Sequence, residues 1–234
     1  MKIQVLDSSL ESLYQDWKSF LEKEMPTDSN IQIIFDQPTP LVQDTAGRKM
    51  RIDFIKDRSN YHKVKKGLQS EPLSRALGGG KKGLRLVDFS AGLGVDAIFL
   101  SQLGFQVTAV ERNPIVFMCL KLAWSQLSAE HQKQVQFEFS SAQKFIQSTA
   151  SEFDVGYFDP MFPAKAKSAL PKQEMVIFKE LVGADPDSEE VVASILQANK
   201  LKRLVVKRPL SAVPLMKPQG QIEGKIIRYD IYGA

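Results

Sequence analysis

The sequence has little cysteine and little histidine. Among its 234 residues there is one cysteine, Cys119, so the chain cannot form an internal disulfide. The two histidines, His62 and His131, stand far apart, whereas a metal site usually takes closely spaced cysteine and histidine ligands. We therefore expect no metal cofactor. Because Cys119 lies in an apolar run, we expect it to be a buried helix residue.

Long apolar runs are also lacking. The sequence contains no stretch of about 18 apolar residues, the shortest length typical of a membrane span. Its first residues have neither the apolar segment nor the small-residue cleavage site of a secretory signal. A hydrophobic content of 43% and a charged content of 25% are ordinary for a globular protein. We therefore expect a cytoplasmic protein that does not contact a membrane.

The excess of basic residues is small overall but locally concentrated. The formal net charge is +4. Residues 48–66 hold eight basic and two acidic residues. Further basic residues are Lys165, Lys167, Lys172, Lys207 and Arg208. Such clusters favour an anionic partner such as a nucleic acid, although a solvated surface explains the 48–66 cluster equally well.

The main pattern lies in residues 84–112. An apolar run ends in Asp88, a turn of small residues with Gly92 and Gly94 follows, and a helical pattern then leads to a second apolar run that ends in Glu111. This order is typical of the first half of a nucleotide-binding α/β sheet. Glycine lets the backbone approach a ligand where a Cβ atom would collide, and the helix N-terminus supplies free N–H groups. The carboxylate of Glu111 can accept hydrogen bonds from both hydroxyls of a ribose.

The charges in this segment distinguish between nucleotides. The glycine spacing also fits dinucleotide-binding proteins, in which a pyrophosphate lies at the turn. Asp88 at the strand end and Asp96 in the first helical turn would repel that anion. S-adenosylmethionine has no phosphate, and its sulfonium and ammonium groups would be attracted by both acids. The segment therefore favours S-adenosylmethionine, while NAD and an α/β unit without a ligand remain alternatives.

From residue 84 onward, predicted strands and helices alternate. We predict strands at 84–88, 105–110, 135–139, 153–158, 204–207 and 226–232. The predicted helices include 114–128, 172–182 and 187–199. This alternation predicts a mostly parallel sheet with helices on both faces, which is a Rossmann-like α/β fold.

Residues 1–80 are predicted to form a small N-terminal α+β region that carries the basic cluster, followed by the nucleotide-binding α/β domain at 81–234. Apolar patterns predict strands at 3–6, 31–35 and 50–55 and helices at 10–25 and 68–77. The glycines at 78–83 then predict a flexible junction between the two parts.

Five polar residues stand at the carboxyl ends of predicted strands: Asp88, Glu111, Ser140, Ser141 and Asp159. In an open α/β sheet the ligand binds beyond these ends, at the point where the strand order reverses. We therefore expect these five side chains to converge on one site.

Residues 159–162 are the second informative motif. Asp159, Pro160 and Phe162 resemble the Asn/Asp-Pro-Pro-Tyr/Phe motif of methyltransferases that modify planar exocyclic nitrogens. Such an amine is a poor nucleophile because its lone pair is delocalised. The Asp159 carboxylate and the Pro160 carbonyl can accept its two hydrogens and so orient it, and Phe162 offers a face on which a base can stack. An Asp-Pro turn with Phe162 in the core is the alternative interpretation.

With these motifs, the chain resembles the bacterial small-subunit ribosomal RNA methyltransferase J family over most of residues 50–234. That family methylates the N2 amine of a guanosine in 16S RNA. The similar segments are 88–97, 111–114, 159–163, 167–170, 174–175, 181–183, 205–209 and 228–232. Segments 159–163 and 205–209 together are specific, whereas the glycine turn is common to many nucleotide-binding proteins.

The resemblance implies the Rossmann-like fold of class I S-adenosylmethionine-dependent methyltransferases for the domain at 81–234. It also implies that S-adenosylmethionine is the methyl donor and S-adenosylhomocysteine the product. The implied cofactor site is lined by Val95, Asp96, Glu111, Arg112, Ser140, Ser141 and Asp159. Asp88 and Asp96 would lie near the methionine moiety, and the two serines would border the adenine. Two positions leave alternatives open. The family often has arginine where this chain has Val95, and Arg112 also suits an ion pair with a nearby surface acid.

The resemblance further implies that 16S RNA or the small ribosomal subunit is the partner. The basic residues expected to bind its phosphates are Lys63, Lys65, Lys66, Lys165, Lys167, Lys172, Lys207 and Arg208. Other functions remain open at this point: methylation of adenine N6 or of a protein glutamine amide, an NAD-dependent oxidoreductase, and a non-enzymatic RNA-binding module. The sequence does not determine the oligomeric state.

Overall fold

The computed structural model describes residues 2–25, 30–55, 71–79, 83–161 and 173–233. These residues belong to two compact units. The first unit consists of residues 1–57, 113–129 and 161–184, and the second of residues 58–112, 130–160 and 185–234. The sequence-based boundary near residue 80 stays a prediction.

The strands in chain order are β1 (Lys2–Val5), β2 (Gln32–Phe35), β3 (Leu41–Gln43), β4 (Lys49–Met50), β5 (Arg85–Asp88), β6 (Gln106–Glu111), β7 (Val135–Phe139), β8 (Val155–Phe158), β9 (Arg203–Pro209), β10 (Gly220–Glu223) and β11 (Ile227–Gly233). The helices are α1 (Glu11–Glu24), α2 (Pro72–Ala76), α3 (Val95–Gln102), α4 (Pro114–Ser125), α5 (Ala129–Gln132), α6 (Ala142–Ser148), α7 (Gln173–Val182) and α8 (Ser188–Gln197). A 3₁₀ turn, Ser8–Leu10, precedes α1.

The first unit contains a four-stranded sheet in the order β1-β2-β3-β4, in which β1 and β2 run parallel and the other pairs antiparallel. Alternation along β2 buries Ile33 and Phe35. Helix α4 begins at Pro114, where the Asn113 side chain accepts the N–H groups of the first turn. Cys119 is buried in α4, as predicted.

The second unit contains a seven-stranded sheet in the order β10-β11-β9-β8-β5-β6-β7. Strands β9, β8, β5, β6 and β7 are parallel, and β11 pairs antiparallel with both β9 and β10. Strand β5 lies between β8 and β6, so the strand order reverses there. All five parallel strands therefore end at one edge, and the predicted fold class is confirmed.

The core of the second unit packs helices α6 and α8 against this sheet. Ile146 of α6 and Ile195 of α8 are fully buried together with Val87 and Leu204 of the strands. Burial of each such side chain contributes about 1.5–3 kcal/mol relative to exposure. This packing holds the ends of the parallel strands, where the polar residues stand. Among the described residues, no helix is long and apolar enough to cross a membrane.

Two features of the fold differ from the sequence predictions. The strand predicted at 50–55 is wrong beyond Met50, and Phe54 and Ile55 are helical. The Asp53 carboxylate accepts the N–H of Ile55 at 3.1 Å, a local bond that competes with strand pairing. The sequence interpretation also missed β3 and β10, which are only three and four residues long.

Candidate active site

The turn between β5 and α3 requires glycine at two positions. Gly92 and Gly94 have φ angles of 54° and 78°, in the left-handed region where a Cβ atom causes strain. Gly94 is the N-cap of α3, and its N–H donates to the carbonyl of Ala91 at 2.8 Å. The turn therefore closes tightly just beyond the end of β5.

Glu111 holds this turn against the neighbouring strand. It is the last residue of β6, it is 4% exposed, and its Oε2 accepts the N–H of Gly92 at 2.9 Å. The N–H of Ala91 donates to the carbonyl of Val110 at 3.0 Å. A buried carboxylate thus lies against the backbone of the glycine turn at the edge where the strands end.

Asp88 is a fully buried acid at the end of β5. Its Oδ1 accepts the N–H of Ser90 at 2.9 Å and the Ser90 hydroxyl at 3.1 Å. Its Oδ2 is buried and has no hydrogen-bond partner among the described residues. Burial, together with the charges of Asp96 and Asp159 and against the hydrogen bonds from Ser90, raises the pKa of Asp88 to about 8.

Asp159 follows β8 and joins a network of polar side chains. Its N–H donates to the Ser90 hydroxyl at 2.7 Å. Its Oδ2 accepts from the Lys207 ammonium at 2.7 Å, and the same ammonium lies 3.5 Å from Oδ2 of Asp96. The hydroxyl of Tyr157 donates to that Asp96 oxygen at 2.7 Å. The ends of β5, β8 and β9 and the start of α3 are therefore linked.

Burial and charge act in opposite directions in this network. Burial raises the pKa of Asp159, and the attraction of Lys207 offsets part of that rise. Burial alone would lower the pKa of Lys207, but the carboxylates of Asp96 and Asp159 outweigh it and the pKa is raised. Burial, together with the charge of Asp96, raises the pKa of Tyr157 well above its usual value. Lys207 is therefore a charged ammonium and Tyr157 a neutral hydrogen-bond donor near neutral pH.

Ser140, Ser141 and Arg112 lie at the adjacent strand ends. The N–H of Ser140 donates to the carbonyl of Glu111 at 3.1 Å, and the Ser141 hydroxyl caps α6 by accepting the N–H of Lys144 at 3.2 Å. The guanidinium of Arg112 pairs with Asp185. The structure thus places all five strand-end residues at one edge of the sheet, and their convergence on one ligand stays a prediction.

Comparison with known proteins identifies the family. The family model for SAM-dependent methyltransferases matches residues 22–234. The ribosomal RNA small subunit methyltransferase J of Bdellovibrio bacteriovorus is 39% identical over 223 residues, covering 92% of this chain and 88% of that protein. The protein of the same name from Coxiella burnetii is 34% identical over 235 residues, covering 96% of this chain and 92% of that protein.

The chain belongs to the ribosomal RNA small subunit methyltransferase J family of SAM-dependent methyltransferases. A solved structure, the SAM-dependent methyltransferase of Neisseria gonorrhoeae, superimposes with a TM-score of 0.70 at 25% identity and covers 100% of this chain and 96% of that one. The chain is therefore an S-adenosylmethionine-dependent methyltransferase. The NAD-dependent oxidoreductase and the non-enzymatic module, which the sequence left open, are excluded by the family.

The described residues of this methyltransferase fit its cofactor. Asp88 presents a buried carboxylate oxygen that no described group satisfies, and Asp96 stands in the first turn of the helix beside it. Acids at this position suit the ammonium and sulfonium groups and not a pyrophosphate. The glycine turn adds backbone that carries no Cβ atom. Val95, the first residue of α3, is 48% exposed, so an arginine at this position would change the surface and not the core.

The predicted RNA-binding residues are only partly visible. Phe162 and six of the predicted lysines lie outside the described residues: Lys63, Lys65, Lys66, Lys165, Lys167 and Lys172. Arg208 is 8% exposed and donates to the carbonyl of Val213 at 2.6 Å. Lys207 is directed to Asp96 and Asp159. The structure therefore does not place Lys207 and Arg208 on an exposed rim as expected, because each has partners within the protein.

Sequence reasoning missed three members of the site: Ser90, Tyr157 and Asp185. Tyr157 had a readable signal, since it stands two residues before Asp159 and alternate strand residues share a face. Ser90 lies two residues after Asp88, and an aspartate side chain often accepts the backbone N–H of the residue two positions later. Asp185 is far from Arg112 in the chain, and no local pattern connects the two.

Proposed function

We propose that this methyltransferase acts in the cytoplasm on the exocyclic N2 amine of a guanosine in 16S ribosomal RNA. The relatives that match most of its length are named for the small ribosomal subunit RNA. The observation that carries the proposal is the position of Asp159: its carboxylate stands at the carboxyl end of β8, beside the glycine turn, with its N–H on Ser90 and its Oδ2 on Lys207.

The cofactor would be held by the ends of β5, β6 and β7. Asp88 and Asp96 face the methionine end, because two carboxylates attract its cationic groups. Glu111 receives the ribose hydroxyls, and Ser140 and Ser141 border the adenine. Arg112 contributes its backbone or its guanidinium, which lies on Asp185. When bound, S-adenosylmethionine supplies a methyl group made electrophilic by its sulfonium.

The target amine would be oriented by Asp159 and Pro160. The carboxylate accepts one amine hydrogen and the backbone carbonyl of Pro160 accepts the other. This arrangement favours a more tetrahedral nitrogen with its lone pair directed at the methyl donor. Phe162 stacks on the base once the base has left its helix.

Basic residues would bind the RNA backbone around this site. Lys63, Lys65 and Lys66 belong to the basic cluster at residues 48–66 of the predicted N-terminal region and would add phosphate contacts. Lys165, Lys167 and Lys172 follow the Asp159 motif in the chain. Phosphate contacts give affinity without sequence choice. The target would thus be selected by RNA shape and an unstacked base.

A second candidate is the methylation of adenine N6 or of a protein glutamine amide, because both substrates present an NH₂ group to the same pair of acceptors. The basic clusters favour RNA over a protein substrate, and the names of the relatives favour ribosomal RNA.

Methyl transfer to ribosomal RNA tests the proposal. Purified protein is incubated with methyl-labelled S-adenosylmethionine and either 16S RNA or small subunits from cells that lack the enzyme. The RNA is then digested to nucleosides and analysed by mass spectrometry. We expect N2-methylguanosine. Labelled N6-methyladenosine, or labelled protein with unlabelled RNA, would replace the proposal with the second candidate. No product on either RNA substrate would contradict it.

A further inference from the structure

Lys207 stands where a surface phosphate contact was expected but lies within the site. Its ammonium is 2.7 Å from Oδ2 of Asp159 and 3.5 Å from Oδ2 of Asp96, and its side chain is 26% exposed. The strand register explains this position. Phe158 of β8 pairs with Val206 of the parallel strand β9. Asp159 and Lys207 are the next residues along the two chains, so they lie side by side just beyond this pair.

The groups around Asp159 are mostly acidic. Asp88 at the end of β5, Asp96 on α3 and Asp185 before α8 are carboxylates, and Tyr157 on β8 and Tyr229 on β11 are phenols. Burial and the charges of Asp96 and Asp185 favour the protonated form of Asp159, whereas Lys207 favours the ionised form. The positive charge of Lys207 therefore opposes the effect of burial and of the neighbouring carboxylates on the protonation of Asp159.

The ionised form matters for the chemistry. A carboxylate accepts hydrogen bonds at both oxygens, whereas a protonated carboxyl group offers a donor at one of them. Lys207 contacts Oδ2, so Oδ1 is the oxygen left to receive the amine. A proton on Asp159 would put a hydrogen where the amine also presents one.

We propose that Lys207 is a positioning residue for methyl transfer. It anchors Oδ2 of Asp159 and keeps this carboxylate ionised, so that Oδ1 accepts a hydrogen of the target amine. This inference rests on the proposed function in assigning the amine to Asp159. The pairing of Lys207 with Asp159 and Asp96 does not depend on the identity of the substrate.

The test compares Lys207→Met and Lys207→Arg with a matched control, Lys202→Met. Lys202 makes a similar pair with Asp154 at the opposite ends of β8 and β9, where it is 80% exposed. The rate of RNA methylation is measured from about pH 5 to pH 9. For Lys207→Met we expect kcat near neutral pH to fall by about 10- to 100-fold, and the acid limb of the profile to move up by about one pH unit.

Arginine keeps the charge, so Lys207→Arg should retain the acid limb of the wild type and recover part of the rate. Lys202→Met should match the wild type in both. If Lys207→Met raises KM for RNA and leaves kcat and the acid limb unchanged, Lys207 is a phosphate contact and the inference is wrong. A lower rate at every pH in a folded variant, with an unmoved acid limb, would also contradict the positioning role; Lys207→Gln is measured in the same way if circular dichroism shows that the methionine variant is not folded.

A second measurement separates this inference from the proposed function. The carboxyl carbon of Asp159 is followed by NMR across the same pH range, and its signal is assigned by its loss in Asp159→Asn. We expect Asp159 to titrate at a higher pH in Lys207→Met, or in Lys207→Gln if the methionine variant does not fold. Equal titration in variant and wild type overturns the inference, whatever the substrate. A wild type that titrates as expected but does not methylate guanosine contradicts the proposed function alone.

Discussion

Strands β8 and β9 are flanked by two aspartate–lysine pairs of nearly equal length. Asp154 and Lys202 meet at 2.6 Å before the strands begin, and Asp159 and Lys207 meet at 2.7 Å where β8 has ended. Lys202 is 80% exposed, whereas Lys207 is 26% exposed. The pairs thus share their chemistry and differ in their surroundings.

The pKa values of the two aspartates are shifted in opposite directions. The hydrogen bond from Lys202 holds the pKa of Asp154 below its usual value. Burial raises the pKa of Asp159 in spite of Lys207. An exposed pair of this kind contributes little to stability. The comparison teaches that a salt bridge indicates function only when burial and like charges make it costly, as they do at the carboxyl end of the sheet.

The largest expected effect comes from removing the charge of Asp159, and the same substitution at Asp154 is its control. We expect Asp159→Asn to lower kcat for RNA methylation by about 100- to 1000-fold, as loss of one preorganised hydrogen-bonding group does elsewhere. The matched variant Asp154→Asn should stay within about twofold of the wild type, since it lies at the opposite ends of the strands and its amide oxygen can still accept the N–H of Arg85, which Asp154 accepts at 3.0 Å. Steady-state rates with circular dichroism as a check of folding measure both. Equal losses in the two variants would remove the distinction between the pairs.

Between the two pairs, β8 is packed closely at Gly156. A Cβ atom there would lie 2.7 Å from Cδ1 of Leu201 and 3.0 Å from both Leu204 and Phe89. We expect Gly156→Ala to lower the free energy of unfolding by about 1–3 kcal/mol through overpacking. Denaturant unfolding measures this. Gly220→Ala is the control, because a Cβ atom at Gly220 has no neighbour within 4 Å among the described atoms. Unchanged stability in Gly156→Ala would mean that the neighbouring side chains move aside at little cost, which would contradict the close packing at this position.

A smaller effect is expected from pH at Asp88. Its pKa of about 8 lies above that of an ordinary aspartate, so the folded, unliganded protein holds a proton there below pH 8. A bound ammonium favours the ionised form. Binding should therefore release a proton, and the affinity for S-adenosylhomocysteine should rise from pH 6 to pH 8 by at most about tenfold per pH unit.

Calorimetry in two buffers of different ionisation enthalpy measures this proton release. Asp88→Asn should remove both the release and the pH dependence. A wild type whose affinity does not change between pH 6 and pH 8 would show that Asp88 does not meet the cation. The linkage also sets the stability of the unliganded protein. Because the folded state binds the extra proton, the contribution of Asp88 to stability falls as pH rises from about 4 to about 8.

The sequence predicted the parallel sheet and the positions of Asp88, Glu111 and Asp159 because these depend on local patterns. Apolar runs, glycines and the acids that follow them are adjacent in the chain. It did not predict the role of Lys207, because that role depends on the pairing of β8 with β9, which are separated by 44 residues of chain between Phe158 and Arg203. A basic residue near a functional motif was interpreted as a phosphate contact, whereas the register turned it toward Asp159.

Residues 50–55 and strand β10 also show where local sequence patterns fail to predict the structure. The alternation at 50–55 predicted a strand, but the bond from the Ile55 N–H to Asp53 favours a helical start there. Strand β10 has no apolar run, and its place in the sheet comes from pairing with β11. Local patterns specify elements that carry much of the core, and tertiary pairing specifies the short ones.

The most direct test of the cofactor site is titration calorimetry with S-adenosylhomocysteine, using the wild type and Glu111→Ala. We predict one saturable site in the wild type and binding weakened by about tenfold or more in the variant, since the carboxylate holds the Gly92 turn and is proposed to receive the ribose. RNA binding by the variant should be unchanged. Equal affinity for S-adenosylhomocysteine in the two proteins would contradict the placement of the cofactor at this edge of the sheet.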